Sequence, residues 1–301
     1  MVASQESEAS LTWNLGRWRG AAAVLVVAAG TTGILGGAGG ALAVGTTSAS
    51  AAPVVWGPAQ PISLSASLGH YPQVRAISCP AAGDCVAAGE YYNGAQPGFV
   101  VEQVKGVWGS AQPISGLSPL AGGDRVTVNS LSCASPGNCA VVGSLYAPYP
   151  TSNSPQLLRG FVVSETNGTW GTADILAPPL PAARLGPGKL VSVSCSAPGD
   201  CLAGGYDSTD YQTTMAEVVQ ETNGTWGVPT LVPGAPAYDG VQSVSCTSPG
   251  DCVAGLGSQH KGYAAALATE TGGSWSIQSV PGLSALAAGQ VHSSLDSVSC
   301  P

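Results

Sequence analysis

Apolar and polar residues alternate in short runs that recur along this chain, and each run ends in a cysteine. The clearest are Val74-Arg-Ala-Ile-Ser-Cys79, Leu190-Val-Ser-Val-Ser-Cys195 and Val241-Gln-Ser-Val-Ser-Cys246. A period of two is the signature of a strand with one face buried. With five residues between, each first cysteine is followed by a second one, which opens a compact apolar run such as Cys85-Val-Ala-Ala-Gly89, Cys139-Ala-Val-Val-Gly143 or Cys201-Leu-Ala-Gly-Gly205. These runs, closed by glycine, predict a buried second strand whose small side chains let a neighbouring sheet approach. A third strand is predicted at Phe99-Val-Val-Glu-Gln103, Phe161-Val-Val-Ser-Glu165 and Ala216-Glu-Val-Val-Gln220, and a fourth at the tryptophans Trp108, Trp170, Trp226 and Trp275. Asn167-Gly168 and Asn223-Gly224 stand between strands three and four, where a tight hairpin needs positive φ; Gly106 and Gly272-Gly273 take the same place in the other copies.

The first cysteines of successive copies, Cys79, Cys133, Cys195, Cys246 and Cys300, lie 54, 62, 51 and 54 residues apart. Four antiparallel strands in a unit of that length match a propeller blade. The fold class expected is therefore all-β: a β-propeller of four-stranded antiparallel blades, with four complete repeats and partial blades at both ends. Trp56-Gly-Pro-Ala-Gln-Pro-Ile62 nearly repeats Trp108-Gly-Ser-Ala-Gln-Pro-Ile114, so the repeat domain, residues 52–301, opens on an outer fourth strand. It closes within a first strand at Cys300, and a domain truncated at its C-terminus is the expectation. On these blades and their cysteine turns the chain resembles the kelch-like and galactose-oxidase-like β-propeller repeats, in the Cys-containing form of secreted bacterial proteins.

The Cys-x5-Cys element admits two chemistries. Structural zinc favours two to four residues between paired thiolates and needs two pairs converging, and the three histidines, His70, His260 and His292, hold unrelated places in the repeat. A disulfide across the turn between strands one and two suits the spacing better. Disulfides are expected at Cys79–Cys85, Cys133–Cys139, Cys195–Cys201 and Cys246–Cys252, with no metal and no cofactor. Asp84, Asn138, Asp200 and Asp251 precede the second cysteine in every copy and read as caps of that turn.

Composition adds an address. Arg17 and Arg19 precede an uncharged run from Gly20 to Ala51 that ends Ala49-Ser50-Ala51. Residues 1–51 thus read as an export signal, either a cleaved signal peptide or an uncleaved N-terminal membrane anchor. A secreted or cell-surface location follows, with membrane contact only through that segment. The chain has 42 Gly, 23 Pro, 9% charged residues and a net charge of −8. Its nine Lys and Arg form no basic stripe, which excludes nucleic acid as an expected partner.

Function is expected where the repeat varies. The connections after strands two and four differ in length and sequence from copy to copy, and all nine tyrosines fall in or beside them. Tyrosine offers a flat apolar face with a polar tip, suited to a saccharide ring or a protein surface. The ligand-binding candidates are Tyr91, Tyr92, Tyr146, Tyr149, Tyr206, Tyr211 and Tyr238, with Asp207, Asp210 and Asp239 to accept hydroxyl protons. The reading is a binding module for an extracellular glycan or protein, rather than an enzyme. A propeller-type glycoside hydrolase or lyase is the alternative, with Glu90, Asp207, Asp210 or Asp239 as acid and base.

Overall fold

Each repeat folds into its own antiparallel sheet. The computed structural model describes residues 70–92, 98–117, 125–147, 157–176, 188–208, 214–236, 239–258, 265–283 and 293–300. The export segment and the Trp56–Ile62 strand lie outside the described residues.

The first blade contains β1 (His70–Ala81), β2 (Asp84–Tyr92) and β3 (Gly98–Val104), with β4 (Val107–Trp108) and β5 (Gln112–Pro113) both along the outer edge of β3. The second has β6 (Arg125–Ser135), β7 (Asn138–Ala147), β8 (Leu157–Thr166), β9 (Thr169–Trp170) and β10 (Asp174–Ile175). The third repeats this with β11 (Lys189–Ala197), β12 (Asp200–Ser208), β13 (Thr214–Thr222), β14 (Thr225–Trp226) and β15 (Thr230–Leu231). The fourth has β16 (Asp239–Ser248), β17 (Asp251–Ser258), β18 (Ala266–Thr271) and β19 (Ser274–Ser279).

The fourth strand departs from expectation in three blades, where it is split in two. Gln103 pairs with Trp108 and Val100 with Gln112, so the outer strand carries one residue more than β3 over the same stretch. The same surplus occurs in the second and third blades. An extra residue on one side of a ladder is a bulge, and it interrupts the pairing. In the fourth blade Glu270 pairs with Trp275 and Leu267 with Gln278; the counts match and β19 runs unbroken.

A second bulge falls at the same place in every first strand. Val74 faces Gly89 while Ala76 faces Ala88, leaving Arg75 without an opposite number; Asn129, Val191 and Gln242 are its counterparts. In the first three blades this bulge lies against the glycine that closes strand two, a place that Leu256 takes in the fourth. A Cβ on Gly89, Gly143 or Gly205 would come within 1.9, 2.2 or 1.9 Å of a carbonyl oxygen of the blade's own first strand. At the closing glycine the crowding comes from within the sheet, while the expected approach of a neighbouring sheet is met one residue earlier in the third blade, where a Cβ on Gly204 would come within 2.4 Å of Val241 of the next blade.

Blades join face to face through their first strands. Val128 and Leu131 of β6 are buried in one cluster with Val86, Ala88 and Val100 of the first blade. Leu190 and Val193 bury against Ala140, Val142 and Val162 in the next junction, and Val241 and Val244 against Leu202 and Val218 in the third. Each such aliphatic side chain is worth about 1.5–3 kcal/mol of burial. The polar half of the alternating pattern is used as well. Ser130 and Ser132 accept from the amides of Val193 and Cys195, at 3.2 and 3.0 Å. Ser192 and Ser194 accept from Val244 and Cys246, and Ser243 and Ser245 from Val298 and Cys300. At the first junction Ala76 replaces the upper serine, and only Ser78 accepts, from Cys133. Residues 293–300 therefore sit against the fourth blade where a fifth first strand would lie.

The turns at one rim are locked together. All four expected disulfides are present, with Cα–Cα distances of 3.9–4.0 Å across the turn. Beside each lies the strand three to four hairpin, whose two central residues both have positive φ, as in Asn167 (50°) and Gly168 (78°). The two turns clasp one another. The amide of Gly168 donates to Gly137 O and that of Asn167 to Asn138 Oδ1; Gly224 with Gly199, and Asn223 with Asp200, repeat the pattern. Lys105 donates to Asp84 and Gly272 to Asp251 in the outer blades. The residue before the second cysteine thus caps the neighbouring hairpin, and in Asn138 and Asp251 its own turn also, through Ser135 and Ser248.

Candidate functional site

With one rim occupied by repeated turns, the opposite rim carries the connections that vary. Tyr149, Asp210, Tyr211 and Tyr238 lie outside the described residues. Tyr92 is the last residue of β2, and Tyr146 lies one residue before the end of β7. Tyr91 is not a surface residue. It is 5% exposed, with its ring 6.1 Å from that of Phe99, because its strand position points into the packed face of the first blade. Burial also raises its phenol pKa. Glu90 is held too, accepting from Arg75 Nε at 2.6 Å and from the Val128 amide of the next blade at 3.2 Å. Both residues are framework.

The third blade differs in kind from the first two. Asp207 in β12 and Glu217 in β13 are each 1% exposed. Glu217 faces Gly205 and Asp207 faces Met215, so the two carboxyls stand diagonally on one face of the sheet. In the strand register these are the places of Tyr91 and Phe99 in the first blade and of Leu145 and Phe161 in the second, all buried apolar residues. Two core positions have thus become carboxylic acids. Burial, then the charge of Asp207, pushes the Glu217 carboxyl up to about 8, and its Oε2 has no hydrogen-bond partner among the described residues. Tyr206, half-buried, lies against Gly240 of the fourth blade, where a Cβ would come within 3.0 Å of the tyrosine Cβ. The preceding residue, Asp239, is fully buried. The structure therefore brings Tyr206 and the start of β16 to the junction of blades three and four, whereas Asp207 and Glu217 share the other face of the third sheet with Ala203 and Val219, which pack against blade two.

Residue type alone hides Glu217, because Ala216-Glu-Val-Val-Gln220 resembles Phe99-Val-Val-Glu-Gln103 in composition while the strand register sets Glu217 at the place of Phe99. Comparison of the aligned core positions carries the signal. A second overlooked group is repeated: Glu165, Glu221 and Glu270 are buried opposite the second cysteine and beside the tryptophan of their blade. Trp226 Nε1 donates to Ser164 Oγ of the preceding blade, and that hydroxyl donates to Glu221 at 2.6 Å. Trp170 Nε1 likewise donates to Glu102 of the first blade. Burial, then the charge of Glu102, raises Glu165 to about 7. These glutamates belong to the blade junctions, and Trp170 and Trp226 are packing residues with a polar tether. Among the described residues no group of three or more His, Cys, Asp or Glu is placed to hold a metal ion.

Four meandering sheets, stacked face to face with their first strands adjacent, define a β-propeller. Among solved structures, the chain is similar to a Hadza microbial sialidase at a TM-score of 0.51, with 11% identity over 71% of this chain and 47% of that one. The chain thus spans about half the length of that sialidase. It is also similar to a protein of unknown function from Dyadobacter fermentans, with a TM-score of 0.49, 16% identity and coverage of 72% and 71%. For an α-L-arabinanase of Penicillium chrysogenum complexed with arabinobiose the values are 0.36, 17%, 72% and 64%. No family model and no curated protein sequence matches the chain. At such identities the likeness to the sialidase shows the fold and leaves the site to be argued from this chain's own residues.

Proposed function

We propose that this chain is an extracellular β-propeller of the kelch-like kind that binds a glycan at its variable rim, around the third blade. The observation that carries the reading is the replacement of two core apolar positions by Asp207 and Glu217 on the face of that blade turned to the second, with Tyr206 on its other face. Buried carboxyls cost stability unless they serve something. Tyr206 and the tyrosines of the adjoining connections, Tyr211 and Tyr238, supply stacking faces for sugar rings, with Tyr92, Tyr146 and Tyr149 further along the rim. Asp207 and Asp239, set behind them, act as positioning residues, and Asp210 accepts hydroxyl protons. The four disulfides fit an oxidising compartment, in keeping with the export signal.

A glycan array probed with the full-length protein should return a defined set of ligands, and Tyr206→Ala should weaken them at least about tenfold. An array with no signal above background rejects the reading. One observation favours the hydrolase alternative: a carboxyl that stays protonated near neutrality beside a second one is the pairing that acid catalysis needs. Turnover of a panel of glycosides, abolished in Glu217→Gln, would establish it.

A further inference from the structure

The outer end of the junction between blades two and three is open, and the split fourth strand is the reason. In the second blade the bulge at residues 171–173 is held by the first blade, where the Ala173 amide donates to Ser115 O at 2.8 Å. On the side of the third blade a cleft of about 380 Å³ remains, floored by β8 and bounded across the junction by residues 224–226. Strand register decides which side chains face into it. Thr166 pairs with Thr169 and Val162 with Asp174, so Ser164, Thr166, Thr169 and Asp174 share the face of Val162, which is buried against the third blade. Trp226 pairs with Glu221 and so stands on the face of the third sheet turned back to the second. Its indole is fixed there: Nε1 donates to Ser164 Oγ at 2.9 Å, and that hydroxyl donates to the buried Glu221. Thr166, Thr169 and Asp174 are exposed and Trp226 is half-buried.

We propose that this cleft binds one residue of a neutral glycan, at a site separate from the variable rim, with the sugar ring on the Trp226 indole and its hydroxyls on Thr166, Thr169 and Asp174. An aromatic wall facing a row of hydroxyls and a carboxylate complements a pyranose, which offers apolar C–H faces and a polar edge. The volume lies within the range of small-ligand sites, about 300–1,000 Å³. Among the described residues no Lys or Arg lines the cleft, whereas Asp174 does and Glu221 adjoins Ser164, so an anionic sugar is repelled. The strand itself does not demand this lining. A matching cleft of about 340 Å³ along the first blade has Val104, Val107 and Gln112 at the places of Thr166, Thr169 and Asp174, and the two valines are 56% and 71% exposed.

The test is calorimetric titration of the full chain with short oligosaccharides of glucose, xylose, mannose and galactose, and with oligogalacturonate as the anionic control. At least one neutral probe should bind, and the anionic one should not. Thr166→Val with Thr169→Val copies the first-blade lining, which the same strands already accommodate, and should weaken that binding at least about tenfold. Asp174→Gln, a single change at an exposed position that again copies the first blade, should weaken it in the same direction and gives a second reading should the double variant not fold. Tyr206→Ala should leave this binding in place, which separates the cleft from the variable rim. A panel in which no neutral probe binds overturns the proposal, as does preference for oligogalacturonate. So does binding that the folded variants of the cleft keep in full, or that Tyr206→Ala removes entirely; the last result would leave the rim as the glycan site.

Discussion

At the scale of single residues the protein is marked by acids in apolar surroundings. Glu165 and Glu217 keep their protons to about pH 7 and 8 in the folded chain, against about 4.5 when exposed, and Glu221 and Glu270 are shifted the same way. The folded state then binds more protons than the unfolded one between pH 4.5 and 8, so stability falls as pH rises through that window. Below it the trend reverses, because Asp251, whose pKa is lowered by hydrogen bonds from Ser248 and the Gly272 amide, loses its charge. The thermal midpoint should therefore peak near pH 4–5 and drop by several degrees by pH 8, a slope opposite to that of most proteins over this range. Glu217→Gln should remove part of the slope in a melting series from pH 4 to 9. An unchanged slope in that variant would mean that the third-blade acid is not protonated as described.

At the scale of elements, the clasped rim is where sequence and structure agree in most detail. Gly199 has a φ of 76°, and a Cβ there would come 2.7 Å from the Gly224 amide nitrogen, whereas a Cβ on Gly224 meets nothing within 4 Å. Both substitutions to alanine incur the left-handed strain of about 1–2 kcal/mol, but Gly199→Ala also pushes the two turns apart. Its denaturation midpoint should fall further than that of Gly224→Ala; equal losses would show that the clasp adds nothing. Each disulfide closes a short loop worth about 2 kcal/mol in the chain-entropy model. Reduction should thus lower the melting temperature markedly, while thiol titration of the native protein finds Cys300 alone among the described cysteines. Trp226→Phe tests the junction tether. It keeps an aromatic ring but removes part of the packing and the donor to Ser164, and should cost at least about 1 kcal/mol in chemical denaturation.

For the whole molecule, stability resides in repeated junctions rather than in one central core, so cooperativity between blades should depend on the serine ladder. Ser192→Ala with Ser194→Ala removes both acceptors between the third and fourth blades. In urea this variant should unfold over a broader range than wild type, and a transition of undiminished sharpness would count against that division of stability. The sequence alone determined the strands, their antiparallel order, the hairpin turns and the cysteine pairs, because each follows from neighbours within one repeat: alternation, positive-φ dipeptides, two thiols across a turn. It did not disclose the two bulges, since these depend on the register between strands that single-strand patterns leave open. Nor did it disclose what Glu217 and the junction glutamates do. A glutamate written in a strand reads as a solvent-facing residue until the neighbouring blade covers it, and only the stacking of sheet on sheet fixes which carboxyls lose water, which tyrosine is core and which apolar faces stay open.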